Sequence, residues 1–249
     1  LTSVDRHDTE IAERGSHVAD LFFELEPDLV VLVDVRRDAN DDADVLARNT
    51  AEAAEALQDQ FPRLSVLRRS GPPGLGRAYL DGFRMALQRP EPWILCMDAD
   101  LSHDPAEALR LLEEGRTAKA DLVVGSRYLP GAGILNWPRH RLWLSRAAAA
   151  YTRAITGMPL TDPTSGFVLY RKTALARLPL DSIHANGYAF QIEMKHGFWL
   201  RGFTLREVPI HFTERTREKS KMNRHIIVEA IWRVWRLAAR GRPNRRKDA

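Results

Sequence analysis

An α/β fold with an open, mostly parallel sheet flanked by helices is predicted by three observations. The runs Leu29–Asp34, Trp93–Asp98 and Leu122–Gly125 are apolar and continuous enough for strands buried on both faces. Segments long enough for helices separate them, which implies parallel pairing through right-handed crossovers. Two of the runs end in an acid, at the strand edge where open α/β sheets bind ligands.

The elements follow in order. Leu1–Val4 reads as a short strand, and Ile11, Val18, Leu21, Phe22 and Leu25 have helical spacing over Ile11–Leu25, which Pro27 ends. After the strand Leu29–Asp34 come an Ala-rich helix over Asp42–Leu57 and a strand at Leu64–Leu67. Gly74–Tyr79 opens a helix running to about Gln88, and the Trp93 strand follows. Asp104 and Pro105 are the N-cap and first position expected of the next helix. Beyond the strand Leu122–Gly125 the pattern is less regular. Gly131–Pro138 reads as a loop, Arg139–Gly157 as a helix with a small apolar centre at Ala147–Tyr151, and Asp162–Gly166 as a turn before a strand Phe167–Tyr170. A helix Tyr188–Leu200, a strand Phe203–Phe212 and a helix Lys221–Arg240 complete the chain. That last helix carries Glu229, Arg233, Arg236 and Arg240 along one side and Ile226, Ile227, Ala230, Ile231, Val234, Trp235 and Leu237 around the other. Such a face suits a membrane interface or a protein core.

Composition bounds the function classes. At 249 residues and 44% hydrophobic content the chain can bury one full core, alone or with a small appendage. The net charge is +4 with mixed signs along most of the chain, which argues against a general nucleic-acid binder. Arg240, Arg242, Arg245, Arg246 and Lys247 form a basic tail, suited to an anionic membrane surface or to plain solvation. Cys96 is the one cysteine, so no internal disulfide can form. No uncharged apolar run approaches the roughly 18 residues of a membrane span, and no signal-peptide pattern is read at Leu1.

Asp98-Ala99-Asp100 is the chemical focus. Two carboxylates at a strand end either repel or share a cation, and oxygen ligands suit Mg²⁺ or Mn²⁺. An isolated Asp-x-Asp is more often a solvated turn. Further motifs occur downstream in one order: Gly125-Ser126-Arg127-Tyr128, Asn136-Trp137-Pro138 with Arg141, Ser145 and Arg146, Thr164-Ser165-Gly166-Phe167, Gly187-Tyr188-Ala189-Phe190-Gln191-Ile192-Glu193-Met194, and Ser220-Lys221-Met222. Together, over roughly residues 60 to 237, they resemble the polyprenol (dolichol) monophosphate mannose synthases of glycosyltransferase family 2, which have a GT-A fold.

The resemblance implies a single GT-A domain over residues 1–240, with a nucleotide- and metal-binding half (1–130), an acceptor-binding half (131–240) and the basic tail 241–249. It implies an inverting transfer of mannose from GDP-mannose to polyprenyl phosphate, by an enzyme peripheral on the cytoplasmic face of a membrane. A separate membrane-anchor protein is compatible with it, and nucleic acid is not a partner. Asp98 and Asp100 match the metal positions. Ser102, where family members often carry Gln, can also approach the metal. Arg127, Arg141 and Ser145 match the acceptor-phosphate positions, and Arg215 and Lys221 match a mobile loop that closes over the phosphates, although Glu218 stands where the family usually has Gly. Asp100, Arg127, Arg215 and Lys221 are the catalytic set so implied, and Glu10, Asp34 and Asp98 the nucleotide-binding set. Gln191 and Glu193 match a helix framing the sugar. The acceptor oxygen is already anionic, so no general base is needed, and no His–carboxylate pair stands out in the sequence.

Two N-terminal elements depart from the family. Where it carries a Pro-Thr-Tyr-Asn-Glu type of turn and Asp-Asp-Gly-Ser, this chain reads His7-Asp8-Thr9-Glu10 and Asp34-Val35-Arg36-Arg37-Asp38. A different sugar nucleotide (glucose or an amino sugar), base recognition by Asp5, Asp8 or Asp38, and a weak or silent lipid-phosphate-binding homologue are the alternatives this leaves.

Overall fold

A computed structural model describes residues 29–34, 52, 55–56, 58–59, 64–69, 74–98, 102–185, 188–213 and 232–241. Its strands are β1 (Leu29–Asp34), β2 (Trp93–Asp98), β3 (Leu122–Ser126), β4 (Gly133–Leu135), β5 (Val168–Arg171), β6 (Leu205–Pro209) and β7 (His211–Thr213). Five of them form a sheet in the order β1-β2-β5-β3-β6, and β4 pairs with β7 in a small second sheet. β1–β2 and β3–β6 are parallel, whereas β5 is antiparallel to both β2 and β3.

The reversed β5 departs from the parallel pairing that the strand–helix alternation implies. Its cause is the path of the chain. After β3 the chain makes an excursion through β4 and α3 (Arg139–Thr156) and returns by the 162–166 turn to the edge it left, so the next strand has to run back. The other four large-sheet strands share one direction, and the sheet is mostly parallel as expected.

Sequence alternation sorts the strand side chains between two layers. Ile94 and Cys96 of β2 join Leu122, Val124, Val168 and Tyr170 under α1 (Leu75–Leu87) and α5 (Tyr188–Leu200), which follows the single turn α4 (Lys172–Leu175); the two long helices supply Tyr79, Phe83, Phe190, Met194 and Phe198. Trp93, Leu95 and Met97 point the other way, to Leu111 and Leu112 of α2 (Glu107–Thr117) and to Val123, Phe167 and Leu169. Each fully buried side chain of this size contributes about 1.5–3 kcal/mol. β2 is thus buried on both faces up to Asp98, and the carboxylate is the first group to escape the core.

Several boundaries differ from expectation. Leu64–Leu67 pairs with no strand among the described residues: the Leu64 carbonyl accepts from the Gln58 side chain and Leu67 is 42% exposed. The helix expected from Pro105 begins at Glu107, because Asp104 caps a preceding turn through Ala106 N–H (2.9 Å). The Gly131–Pro138 loop contains β4, and Phe203–Phe212 divides into β6 and β7 at Ile210, which bridges the sheets by donating to Ser126 O and accepting from Gly133 N–H. α3 ends as read, with Gly157 left-handed at φ 77 and its N–H on Arg153 O. In the C-terminal helical segment 232–238, Val234 and Leu237 pack on Met158 and Ile192, whereas Trp235, assigned to the same apolar side, is 54% exposed. Leu1–Val4, Ile11–Leu25 and residues 221–231 of the expected last helix lie outside the described residues, as do residues 242–249 of the basic tail.

Candidate active site

Parallel strands deliver their carboxyl ends to one edge. There β1 and β2 finish in register, Asp34 opposite Asp98, so the acids read as nucleotide and cation ligands occupy neighbouring strands about 4.8 Å apart. Gly166, in the turn before β5, faces the Asp98 carboxylate: a Cβ there would lie 3.6 Å from Oδ1 and 3.7 Å from Oδ2. Glycine therefore places no side chain across the approach to Asp98.

The chain beyond β2 is tied down through His103. Its ring is buried, stacked on Phe167 (5.0 Å) and edge-on to Phe212 (5.5 Å). Nδ1 accepts a long hydrogen bond from Asp98 N–H (3.4 Å). Ser102 is buried too, and its carbonyl accepts from Thr213 N–H at 3.1 Å. Residues 99–101, Asp100 among them, lie outside the described residues. Among the described residues no three His, Cys, Asp or Glu side chains form a metal cluster. Asp98 offers carboxylate oxygens, which fit a hard divalent ion completed by substrate phosphates.

Arg127 leaves the same edge at the end of β3. Its Nε and Nη2 donate to Asp162 Oδ2 (2.7 Å) and Oδ1 (2.9 Å), and Nη2 also donates to Thr164 Oγ1 (2.9 Å). Burial pushes the Asp162 carboxyl up, but the Arg127 charge and hydrogen bonds outweigh it and hold the group below the usual carboxylate range. The guanidinium lies 5.3 Å from the Tyr128 ring, 5.6 Å from Trp137 and 5.4 Å from Phe212. Arg141 stacks on Trp137 at 4.5 Å, Arg146 lies 5.9 Å from the Tyr128 ring, and Tyr128 OH and Ser145 Oγ share a 2.5 Å hydrogen bond. Burial pushes the Tyr128 phenol up, against the pull of Arg127. The structure thus gathers Arg127, Arg141 and Ser145 around Tyr128 and Trp137.

A second layer of polar groups supports this cluster, and the sequence signalled little of it. Glu207 of β6 accepts from Thr161 N–H (2.7 Å), Thr161 Oγ1 (2.9 Å) and Asp162 N–H (3.0 Å). Lys195 of α5 is fully buried and donates to Ser165 O (2.8 Å) and to Gln191 Oε1 (3.3 Å). Burial pushes its amine down to about 7, with the Asp162 charge resisting and the Arg127 charge adding to the drop. The unfolded chain holds this proton to about 10.5 and the folded chain only to about 7, so this group makes stability rise with pH between those values. Lys195→Met removes that slope. Its melting temperature relative to wild type is expected to be highest below pH 7 and to fall steadily toward pH 10; a difference independent of pH contradicts the assignment.

Gln191 and Glu193 face inward. Gln191 accepts from Lys195, and Glu193 accepts from Ala185 N–H (3.1 Å) and Arg240 (2.7 Å), so both brace α5. Among the described residues a His–carboxylate pair does form: His211 Nδ1 lies 3.0 Å from Glu107 Oε1, from residues too far apart in the chain for spacing to reveal. Glu107 also accepts from His211 N–H, and a Cβ at Gly133 would meet the His211 ring at 2.7 Å, so the pair fastens β7 to α2 and β4. Glu10, Arg215, Glu218 and Lys221 lie outside the described residues; Asp34 is placed by its strand register.

Comparison with known proteins decides the family. The model of Glycosyl transferase family 2 matches residues 41–178. The chain belongs to glycosyl transferase family 2. This family 2 glycosyl transferase is 42% identical over 212 residues to the undecaprenyl-phosphate mannosyltransferase of Micrococcus luteus, across 82% of this chain and 86% of that protein. It is also 42% identical over 206 residues to the polyprenol monophosphomannose synthase of Mycolicibacterium smegmatis, across 81% of this chain and 77% of that protein. Among solved structures, glucosyl-3-phosphoglycerate synthase from Mycobacterium tuberculosis superposes with a TM-score of 0.57 at 16% identity, covering 92% of this chain and 75% of that one. The same synthase in complex with Mn²⁺, uridine diphosphate and glucosyl-3-phosphoglycerate gives 0.54 at 19% identity, covering 90% and 76%. At these identities the likeness concerns the fold, which is the GT-A type α/β fold of glycosyltransferases.

Proposed function

We propose that this glycosyltransferase moves mannose from GDP-mannose to a polyprenyl phosphate, with inversion at the anomeric carbon, at the cytoplasmic face of a membrane. The observation that carries the reading is the gathering of Arg127, Arg141 and Ser145 around Tyr128 and Trp137 at the sheet edge that also presents Asp34 and Asp98. Guanidinium groups donate charge-assisted hydrogen bonds to a phosphate, and a lipid phosphate has no other polar handle to grip. Its oxygen is anionic before it binds, so it attacks the anomeric carbon from the face opposite GDP without a side-chain base. Asp98 and Asp100 would hold Mg²⁺ or Mn²⁺, which when bound neutralises the donor diphosphate and stabilises charge on the leaving group. The Mn²⁺ and nucleotide named for the fold neighbour support that class of ion, and the mannose and polyprenol in the relatives' names support donor sugar and acceptor. Arg215 and Lys221 close over the phosphates in this reading. The test is a side-by-side assay of labelled GDP-mannose, UDP-glucose and UDP-N-acetylglucosamine with polyprenyl phosphate. Label entering the lipid chiefly from GDP-mannose is expected, and preferential use of another donor overturns the donor assignment.

Peripheral membrane contact fits two exposed apolar faces. Trp143 and Leu144 on α3 are 73% and 49% exposed, and Trp232 and Trp235 on the C-terminal segment are 74% and 54% exposed. Among the described residues no helix is long and apolar enough to cross a membrane. Tryptophans with flanking arginines favour the headgroup layer instead. The triple variant Trp143→Ala/Trp232→Ala/Trp235→Ala is expected to lose vesicle affinity by at least about tenfold in flotation on anionic liposomes, with its melting temperature kept. Flotation equal to wild type removes these faces from the membrane contact.

A further inference from the structure

We propose that Asp162 is the positioning residue that aims Arg127 at the acceptor phosphate; the inference rests on the reading of Arg127 as an acceptor-phosphate ligand. An arginine at a strand end has many rotamers and loses entropy on immobilisation. Here the cost is met in the fold, before any acceptor binds. The Asp162 side chain is 0% exposed and that of Arg127 10%. Both Asp162 oxygens engage the guanidinium, and Oδ2 also accepts from Arg127 N–H (3.2 Å), so side chain and backbone are held by one carboxylate. Thr164 Oγ1 closes the arrangement, accepting from Arg127 Nη2 (2.9 Å) and donating to Asp162 Oδ1 (3.1 Å).

Asp162 is in turn immobile. Its N–H is held by Glu207, whose carboxylate also takes both donors of Thr161, and Thr161 Oγ1 contacts Ser126 Oγ at 2.7 Å. Ser126 directly precedes Arg127, so strand end and turn are fastened twice. The plane of the guanidinium is therefore set relative to Trp137, on which Arg141 also lies. Charge makes the same demand. Arg127 and Arg141 approach a common ring, and the Asp162 carboxylate offsets the repulsion between them in a protein environment where such charges are weakly screened. Nothing of this requires Asp162 to touch a substrate, and its burial argues that it does not.

The experiment measures transfer at varied polyprenyl phosphate, Mn²⁺-dependent GDP affinity by calorimetry, and melting temperature, for wild type, Asp162→Asn, Thr164→Val, Arg127→Ala and Asp162→Asn/Arg127→Ala. Asp162→Asn keeps the shape and removes the charge; it is expected to raise the acceptor KM about tenfold, and Thr164→Val about two- to threefold, with GDP affinity unchanged. Because Asp162 acts through Arg127, the double variant is expected to match Arg127→Ala alone. If Arg127→Ala raises the acceptor KM and Asp162→Asn does not, the inference is overturned while the Arg127 reading stands. If Arg127→Ala leaves that KM unchanged, the reading beneath it falls. Effects that multiply in the double variant, or a fall in GDP affinity equal to the rise in acceptor KM, show Asp162 to be merely structural. Should Asp162→Asn fail to fold, Thr164→Val decides: a wild-type acceptor KM in that variant overturns the proposal.

Discussion

Asp98→Asn is expected to lower transfer by about a thousandfold with the fold intact. Asparagine is isosteric, and the backbone of Asp98 is set by the β1 pairing and the His103 contact, neither of which involves the carboxylate. The carboxylate is the part of β2 that leaves the core, and what it loses on amidation is charge. A cation at a diphosphate leaving group supplies several kcal/mol of transition-state stabilisation, and each 1.36 kcal/mol is tenfold in rate, so losing about 4 kcal/mol costs about three decades. Asp100→Ala is expected to match it. Turnover as a function of Mn²⁺ is the check: a shifted metal dependence with partial recovery at high Mn²⁺ agrees, and activity within about threefold of wild type at every concentration removes Asp98 from the metal site.

Arg141→Ala carries the second large effect, expected in the acceptor KM. Arg141 reaches the cluster from the first turn of α3 and sits over the Trp137 ring. Its place on α3 and over Trp137 is distinct from that of Arg127 at the end of β3, so it adds a second guanidinium to the cluster. A charge-assisted hydrogen bond is worth about 1.5–3 kcal/mol, which sets the rise in KM at about 10- to 150-fold with GDP affinity unchanged. Arg141→Lys recovers the charge but neither fork nor stacking, and is expected to restore only a small part of the loss. Complete rescue by lysine indicates that Arg141 supplies a point charge and no directed contact. An unchanged acceptor KM in Arg141→Ala takes it out of the site.

The features legible in the sequence are those that local chemistry determines. β2 is a bulky apolar run with an acid at its end, Gly157 stops α3 because the left-handed backbone there suits glycine, and Gly125–Tyr128 and Asn136–Ser145 hold the cluster residues in two short motifs. What was not legible depends on where distant segments return. Val168–Arg171 has the same composition whichever way it runs, and its direction follows from the excursion through α3. Asp162 sits in a Thr-Asp-Pro-Thr stretch that reads as a turn, and only the 35-residue separation closed by the fold reveals it as the partner of Arg127. Lys195 and Glu207 occupy a helix and a strand where charged residues are ordinarily solvated. In the C-terminal segment the apolar stripe was visible but not its split between inward Val234 and Leu237 and outward Trp235, which depends on the helix meeting α5.

Polyprenyl phosphate mannosylation is read out in the lipid product itself. Wild-type protein incubated with labelled GDP-mannose, polyprenyl phosphate and Mn²⁺ is predicted to yield a labelled lipid extractable into organic solvent, lost on chelation and restored when Mn²⁺ is returned. No labelled lipid under those conditions, from GDP-mannose or from any other common sugar nucleotide, contradicts the account.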